Sequence, residues 1–181
     1  FLWLPGEAIF QFLPVGIVWS VSRKMGTSQI LGIVLGICLV SPQLLNAYLV
    51  AGTPQSEIAK NWVWDFGFFT VQRIGYQAQV IPALLAGLSL SYLEIFWRKR
   101  IPEVVSMIFV PFLSLLPAII LAHTVLGPIG WTLGQWLSTI VLAGLTGPVK
   151  WLFGAVFGAL YAPFVITGLH HMTNAIDSQL V

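Results

Sequence analysis

Charge is what this sequence has least of. Only 8% of its 181 residues are Asp, Glu, Lys or Arg, while 57% are hydrophobic; a soluble domain carries about 25% charged residues. A surface so poor in charge does not stay dispersed in water. A mean hydropathy of +0.90 exceeds what a large core explains, so lipid must supply most of the surroundings. The expected fold class is all-α, a polytopic transmembrane helical protein or a piece of one. The net charge of +2 is small and scattered, which excludes nucleic acid as a partner. Cys38 is the single cysteine, so no intrachain disulfide can form, and within LGIVLGICLV it reads as packing.

Several chemistries lack their motifs. There is no G-x-x-x-x-G-K-[ST], so an ATP-driven pump is unsupported, and there is no H-E-x-x-H. His170 and His171 are adjacent, and on a helix their side chains diverge by about 100°. With His123 as the third histidine and no carboxylate at ligand spacing, no metal site is expected. No cofactor is expected either. FLWLPGEAIF has neither a basic leader nor a small-residue cleavage site, so it does not read as a signal peptide. With Phe at position 1 and no basic segment closing Asp177–Val181, the chain reads as an excerpt from the middle of a longer protein.

What is present is a series of apolar runs near the length a bilayer requires. Spans are expected at roughly 9–22, 29–50, 74–97, 104–126 and 149–169, with an interfacial or short tilted helix at about 127–146. Pro5-Gly6 favours a loop around Glu7. Gly32 and Gly36 form a G-x-x-x-G pair, and Gly154 and Gly158 a second; both read as close helix packing. Ser41, Pro42, Gln43 and Asn46 interrupt the outer half of the second span, either as interfacial caps or along a polar path. Pro111 and Pro117 are expected to kink the fourth span. Arg23-Lys24 and Arg98-Lys99-Arg100 each lie between consecutive spans, with two spans separating them. Both clusters can therefore face the cytoplasm, leaving the aromatic-rich connection 51–73 outside. Trp62, Trp64, Phe66, Phe68 and Phe69 there suit the headgroup region, and Asp65 and Arg73 are placed to pair.

The chain reads most clearly at 147–177, where an apolar run ends in Thr167, His170, His171, Thr173, Asn174 and Asp177. These side chains offer donors and acceptors within one short segment. A buried sugar presents many hydroxyls, each needing a partner once water is lost. Histidine both donates and accepts, so it suits a hydroxyl that must be held. The competing reading has the two histidines capping carbonyls or facing water at a helix end. Tyr76, Gln77 and Gln79 form another polar span entry, meeting sugar or satisfying backbone groups. Lys150 reads as snorkelling to the interface.

The residues also carry a family resemblance across essentially the whole chain. ITGLHHMTNAID resembles the G-L-H-H segment of the membrane (IIC) domain of phosphotransferase-system sugar permeases, glucose superfamily. FLPVGIVWSVSRKMGTSQILGIVLGICLVSPQLLNAY resembles that domain's FLP…A-x-[KR]-x-x-G…P-x-[LM]-L-N-A segment. GYQAQVIPALLAGLSLSYLE and IPEVVSMIFVPFLSLL are similar to the sucrose/trehalose branch, most closely its trehalose-type members.

The resemblance implies that residues 1–181 are the central fragment of a IIC domain. It implies a homodimeric, multi-pass carrier in the bacterial inner membrane, surrounded by lipid. One half of each protomer forms the dimer scaffold, and the other moves the disaccharide by alternating access. Phosphate reaches the sugar through HPr, IIA and a phosphocysteine on IIB, giving trehalose 6-phosphate. His170 then hydrogen-bonds the sugar, with His171 and Thr167 beside it and Gln77, Gln79 and Asn174 as weaker candidates. Related maltose and glucose carriers have an arginine eight residues before this histidine. Here that position is Ala162, so that contact does not carry over. The catalytic glutamate of a later T-E-P segment and the IIB cysteine are expected outside this sequence, so the fragment alone is expected neither to transport nor to phosphorylate. The alternatives are a permease for sucrose or another disaccharide, and a facilitative carrier without phosphoryl transfer.

Overall fold

A computed structural model describes residues 3–50, 52–67 and 69–146, together with 151, 154, 155 and 159. Helices dominate it, as the composition demands in a medium that leaves no backbone group to water. In chain order they are α1 (Trp3–Gln11), α2 (Leu13–Lys24), α3 (Gln29–Leu39), α4 (Ala47–Val50) and α5 (Gln55–Asn61). A short antiparallel pair follows, β1 (Val63–Asp65) and β2 (Thr70–Gln72). Then come α6 (Val80–Arg98), α7 (Glu103–Leu121), a π-helical turn (Ala122–Leu126) and α8 (Gly127–Thr146). The chain divides into two compact units, 1–128 and 129–181; the packing below belongs to the first.

Two described helical runs are long and apolar enough to cross a membrane, Val80–Arg98 and Glu103–Leu133. The pair α1–α2, bent by 52°, meets the same test when taken together. Pro5 and Gly6 lie inside α1, not in a loop around Glu7, because a first helical turn needs no N–H from proline.

The run expected at 29–50 is not one helix. Helix α3 ends at Leu39, since Pro42 cannot continue a helix and restricts the residue before it. Asn46 Oδ1 then accepts a hydrogen bond from the Tyr48 N–H at 3.0 Å, a local turn that begins α4. At 74–97 the helix starts only at Val80. Residues 74–79 instead serve the loop after α3. Leu45 N–H donates to Arg73 O at 2.7 Å, Gly75 N–H to Leu45 O at 2.8 Å and Tyr76 N–H to Leu39 O at 2.9 Å.

Pro111 and Pro117 both sit inside α7 without ending it. A π-helical irregularity follows at 122–126, and its cause is visible. The Tyr76 hydroxyl donates to Ala122 O, and the same carbonyl accepts the Gly127 N–H. A side chain entering the ladder widens the turn. Gly127 leaves room for it: a Cβ there would stand 2.8 Å from the Tyr76 oxygen. The stretch expected as an interfacial or short tilted helix is helical throughout as α8. The expected span 149–169 lies outside the described residues, save for four positions.

Small residues set the packing of the first unit. A Cβ on Gly32 would lie 2.5 Å from Ser22 Oγ, and one on Gly36 2.5 Å from Val15 Cα. Gly87 faces the same helix, 3.3 Å from Val18 Cα by the same construction. The Gly32–Gly36 pair thus admits α2 of its own chain, as close packing without lipid between requires. Val18, Leu35, Leu39, Ala83 and Leu90 are fully buried in the resulting core.

The ends of these helices are tied differently. At the basic end Thr27 Oγ1 lies 3.1 Å from Ser22 O and 3.2 Å from Ser91 Oγ. The carboxylate of Glu94, 1% exposed, accepts the Ser28 N–H at 2.9 and 3.1 Å. It also pairs with Arg98 at 2.5 Å. These contacts bring the C-terminal ends of α2 and α6 together. Arg23-Lys24 and Arg98-Lys99-Arg100 therefore share one end of the unit, as the positive-inside rule requires.

Candidate functional site

Of the residues singled out in the sequence, His170, His171, Thr167 and Asn174 lie outside the described residues, as do Thr173 and Asp177. Gln77 and Gln79 are described, and their surroundings differ. Gln77 is buried; its Oε1 accepts the Ala47 N–H at 3.0 Å and its Nε2 donates to Val40 O at 3.4 Å. The amide bridges the end of α3 and the start of α4, satisfying backbone groups that the broken helix leaves over. Gly75 lets it do so, since a Cβ there would collide with the Gln77 amide. Gln79 is half-buried at the N-cap of α6 and makes no side-chain capping bond.

Opposite the basic end, the structure gathers four residues that the sequence did not join. Tyr76 is 1% exposed, and burial pushes its phenol above the ordinary range, so it stays a protonated donor to Ala122 O. His123 sits in the π turn, 7% exposed. Its Nδ1 lies 3.1 Å from Ile119 O. A carbonyl only accepts, so this nitrogen carries the proton in the neutral ring. Among the described residues His123 Nε2 is buried without a hydrogen-bond partner. The ring meets Trp64 edge-on at 5.5 Å and Tyr76 at 5.8 Å.

Arg73 completes the cluster from the residue after β2. Its guanidinium lies 5.7 Å from the Trp62 ring and 5.6 Å from the Trp64 ring, within cation–π range. Nη2 donates to Gln43 O at 2.8 Å, while Nε has no partner among the described residues. The expected Asp65–Arg73 pair does not form. Asp65 Oδ1 turns to the Gly67 N–H at 2.8 Å, because the tight β1–β2 turn, with Gly67 at φ +85°, leaves that donor beside it. Trp64 and Phe69 are partly exposed.

The sequence held one signal for this cluster, an ionisable residue within an apolar run. Read along the sequence, His123 suggests only a metal ligand and Trp64 only an interfacial aromatic. Among the described residues no three His, Cys, Asp or Glu side chains come together. A separate cleft of about 660 Å³ opens at the basic end, between Ser28, Glu94 and Arg98 on one side and Met107 and Val110 on the other.

Comparison with known proteins covers the whole chain. The profile of the family described as "Phosphotransferase system, EIIC" matches residues 1–181. The chain is 51% identical over all 181 residues to the PTS system trehalose-specific EIIBC component of Escherichia coli K12, covering 37% of that protein. Over 95% of its length it is 40% identical to the trehalose-specific EIIBC component of Bacillus subtilis 168, covering 36% of that one. The PTS system sucrose-specific EIIBC component of Vibrio alginolyticus is also 40% identical, over 97% of the chain and 36% of the relative. The chain thus spans little more than a third of these relatives. No solved structure matches it. With apolar spans, basic residues at one end and a family match from first residue to last, the chain belongs to the EIIC family of the phosphotransferase system.

Proposed function

We propose that this chain is part of the sugar-binding and translocating membrane domain of a permease that takes up trehalose and releases trehalose 6-phosphate. The observation that carries the substrate is the 51% identity with the trehalose-specific component of E. coli. The sucrose-specific relative of V. alginolyticus stands at 40%, which makes sucrose the second reading. In the intact protein the phosphoryl group passes through HPr and IIA to the IIB cysteine and on to the sugar. A glutamate outside this sequence completes the transfer. The assembly is a homodimer in the bacterial inner membrane.

Within this chain, His170 holds a sugar hydroxyl, with His171, Thr167 and Asn174 adjoining it. A hydroxyl leaving water needs a donor or acceptor in return, and imidazole supplies either. Gln77 contributes by position, since its amide already ties Val40 to Ala47; it fixes the loop beside the span entry. Gln79, with no capping bond to α6, is the better placed of the two to meet sugar.

The test uses the full-length protein in membrane vesicles, given labelled trehalose, sucrose or maltose with phosphoenolpyruvate and the general phosphotransferase proteins. Formation of trehalose 6-phosphate, lost in His170→Ala, is the expected result. Accumulation of unmodified sugar independent of phosphate would leave a facilitative carrier instead.

A further inference from the structure

The π turn at 122–126 interrupts a run, Glu103–Leu133, otherwise regular enough to cross the membrane. Such turns forgo regular hydrogen bonds and recur at functional sites. This one carries His123, whose Nδ1 proton is committed to Ile119 O. That leaves Nε2 as a bare acceptor, buried and without a donor among the described residues. A buried acceptor left alone costs free energy. Neither ring neighbour supplies a proton: the Tyr76 hydroxyl is committed to Ala122 O, and Trp64 meets the imidazole edge-on at 5.5 Å.

From the structure we infer that His123, Trp64 and Arg73 form an outer-end subsite for a sugar hydroxyl, met by the disaccharide as it enters. The inference rests on the sugar-uptake reading above. Three kinds of group meet around the Trp64 ring. Imidazole Nε2 accepts an O–H, the indole face of Trp64 suits the C–H face of a pyranose ring, and the unpartnered Nε–H of Arg73 is a donor to a sugar oxygen. The cluster lies at the end away from both basic segments, which the positive-inside rule places outside. Its cover can move: β1 and β2 have three residues each, and a two-stranded hairpin is marginally stable by itself. Trp64 on that hairpin is itself 37% exposed.

The test measures uptake of external labelled trehalose by cells carrying the full-length protein. His123→Phe keeps an aromatic ring, slightly larger than imidazole, and removes both nitrogens, and His123→Gln restores an acceptor. The subsite predicts an external KM raised about tenfold in His123→Phe, the equivalent of one lost hydrogen bond, with kcat little changed. His123→Gln returns KM most of the way, and Trp64→Leu raises it by roughly threefold. An unchanged KM in His123→Phe, whatever its stability, removes the subsite and leaves the nitrogen a structural role. If that variant does not accumulate in the membrane, Trp64→Leu decides, and an unchanged KM there is equally fatal. Wild-type cells that take up no disaccharide would overturn the uptake reading itself and this inference with it. Normal wild-type uptake with unaltered variants overturns the subsite alone.

Discussion

The two ends of the first unit handle buried polarity in opposite ways. At the basic end, Glu94, Thr27, Ser91 and the Ser28 N–H satisfy one another; the hydroxyl of Ser22, pressed against Gly32, is the exception. At the other end His123 Nε2 and Arg73 Nε stand without partners among the described residues, beside a helix turn already widened by Tyr76. A satisfied network fixes one geometry, whereas an unsatisfied one retains capacity to bind. One end therefore reads as the fastening of the bundle, and the other as the end equipped to meet something.

The sharpest way to break the contrast is to unfasten the basic end. Glu94→Ala leaves the Ser28 N–H without its acceptor and the half-exposed Arg98 without its pair, and is expected to destabilise the intact protein by about 2–3 kcal/mol. Thermal unfolding in detergent or nanodiscs reads this, and Glu94→Gln, which keeps an acceptor for Ser28, should lose less. A loss no greater than that of an outer-end variant would erase the distinction. Gly36→Ala comes next. Its methyl would meet the Val15 backbone, forcing α2 and α3 apart at about 1–3 kcal/mol, measurable in the same unfolding experiment.

At the outer end the expected stability effects are smaller. Tyr76→Phe removes one hydrogen bond to Ala122, worth about 1 kcal/mol. Hydrogen exchange at 122–127 is expected to quicken while exchange at 29–39 stays as it was. Arg73→Lys loses the planar guanidinium between Trp62 and Trp64 at about 0.5–1 kcal/mol. Tryptophan fluorescence of the hairpin should report the loosening before any global unfolding does.

Much of the bundle was legible in the residues. Gly32 and Gly36 announced a close helix approach, although only the folded chain shows α2 as the helix that approaches. The two basic clusters announced a common end, and Glu94 and Thr27 show how that end is held. What escaped the sequence depends on distant partners. Apolar residues continue past Leu39, so hydropathy alone carried the second span to Val50. The chain leaves the helix because Pro42 opposes it and because Arg73, Gly75 and Tyr76 offer that loop backbone bonds. The β1–β2 pair is too short to show an alternating pattern, and the π turn needs the hydroxyl of a residue 46 positions earlier. Of the candidate sugar ligands, the sequence set Gln77 beside Gln79 as equals. Only the broken end of α3 reveals that the Gln77 amide is already engaged.

The carboxylate of Glu94 on the Ser28 N–H also has a consequence in time. Ser28 begins α3 without a side-chain cap of its own, and the acceptor that a capping box would take from within the helix comes instead from a residue 66 positions later. At a synthesis rate of about 5–20 residues per second, the N–H at the start of α3 waits roughly 3–13 s for α6 to be made before it meets this acceptor. During biogenesis the second helix of the bundle is thus left provisional, and the arrival of α6 in the bilayer is the event that commits it.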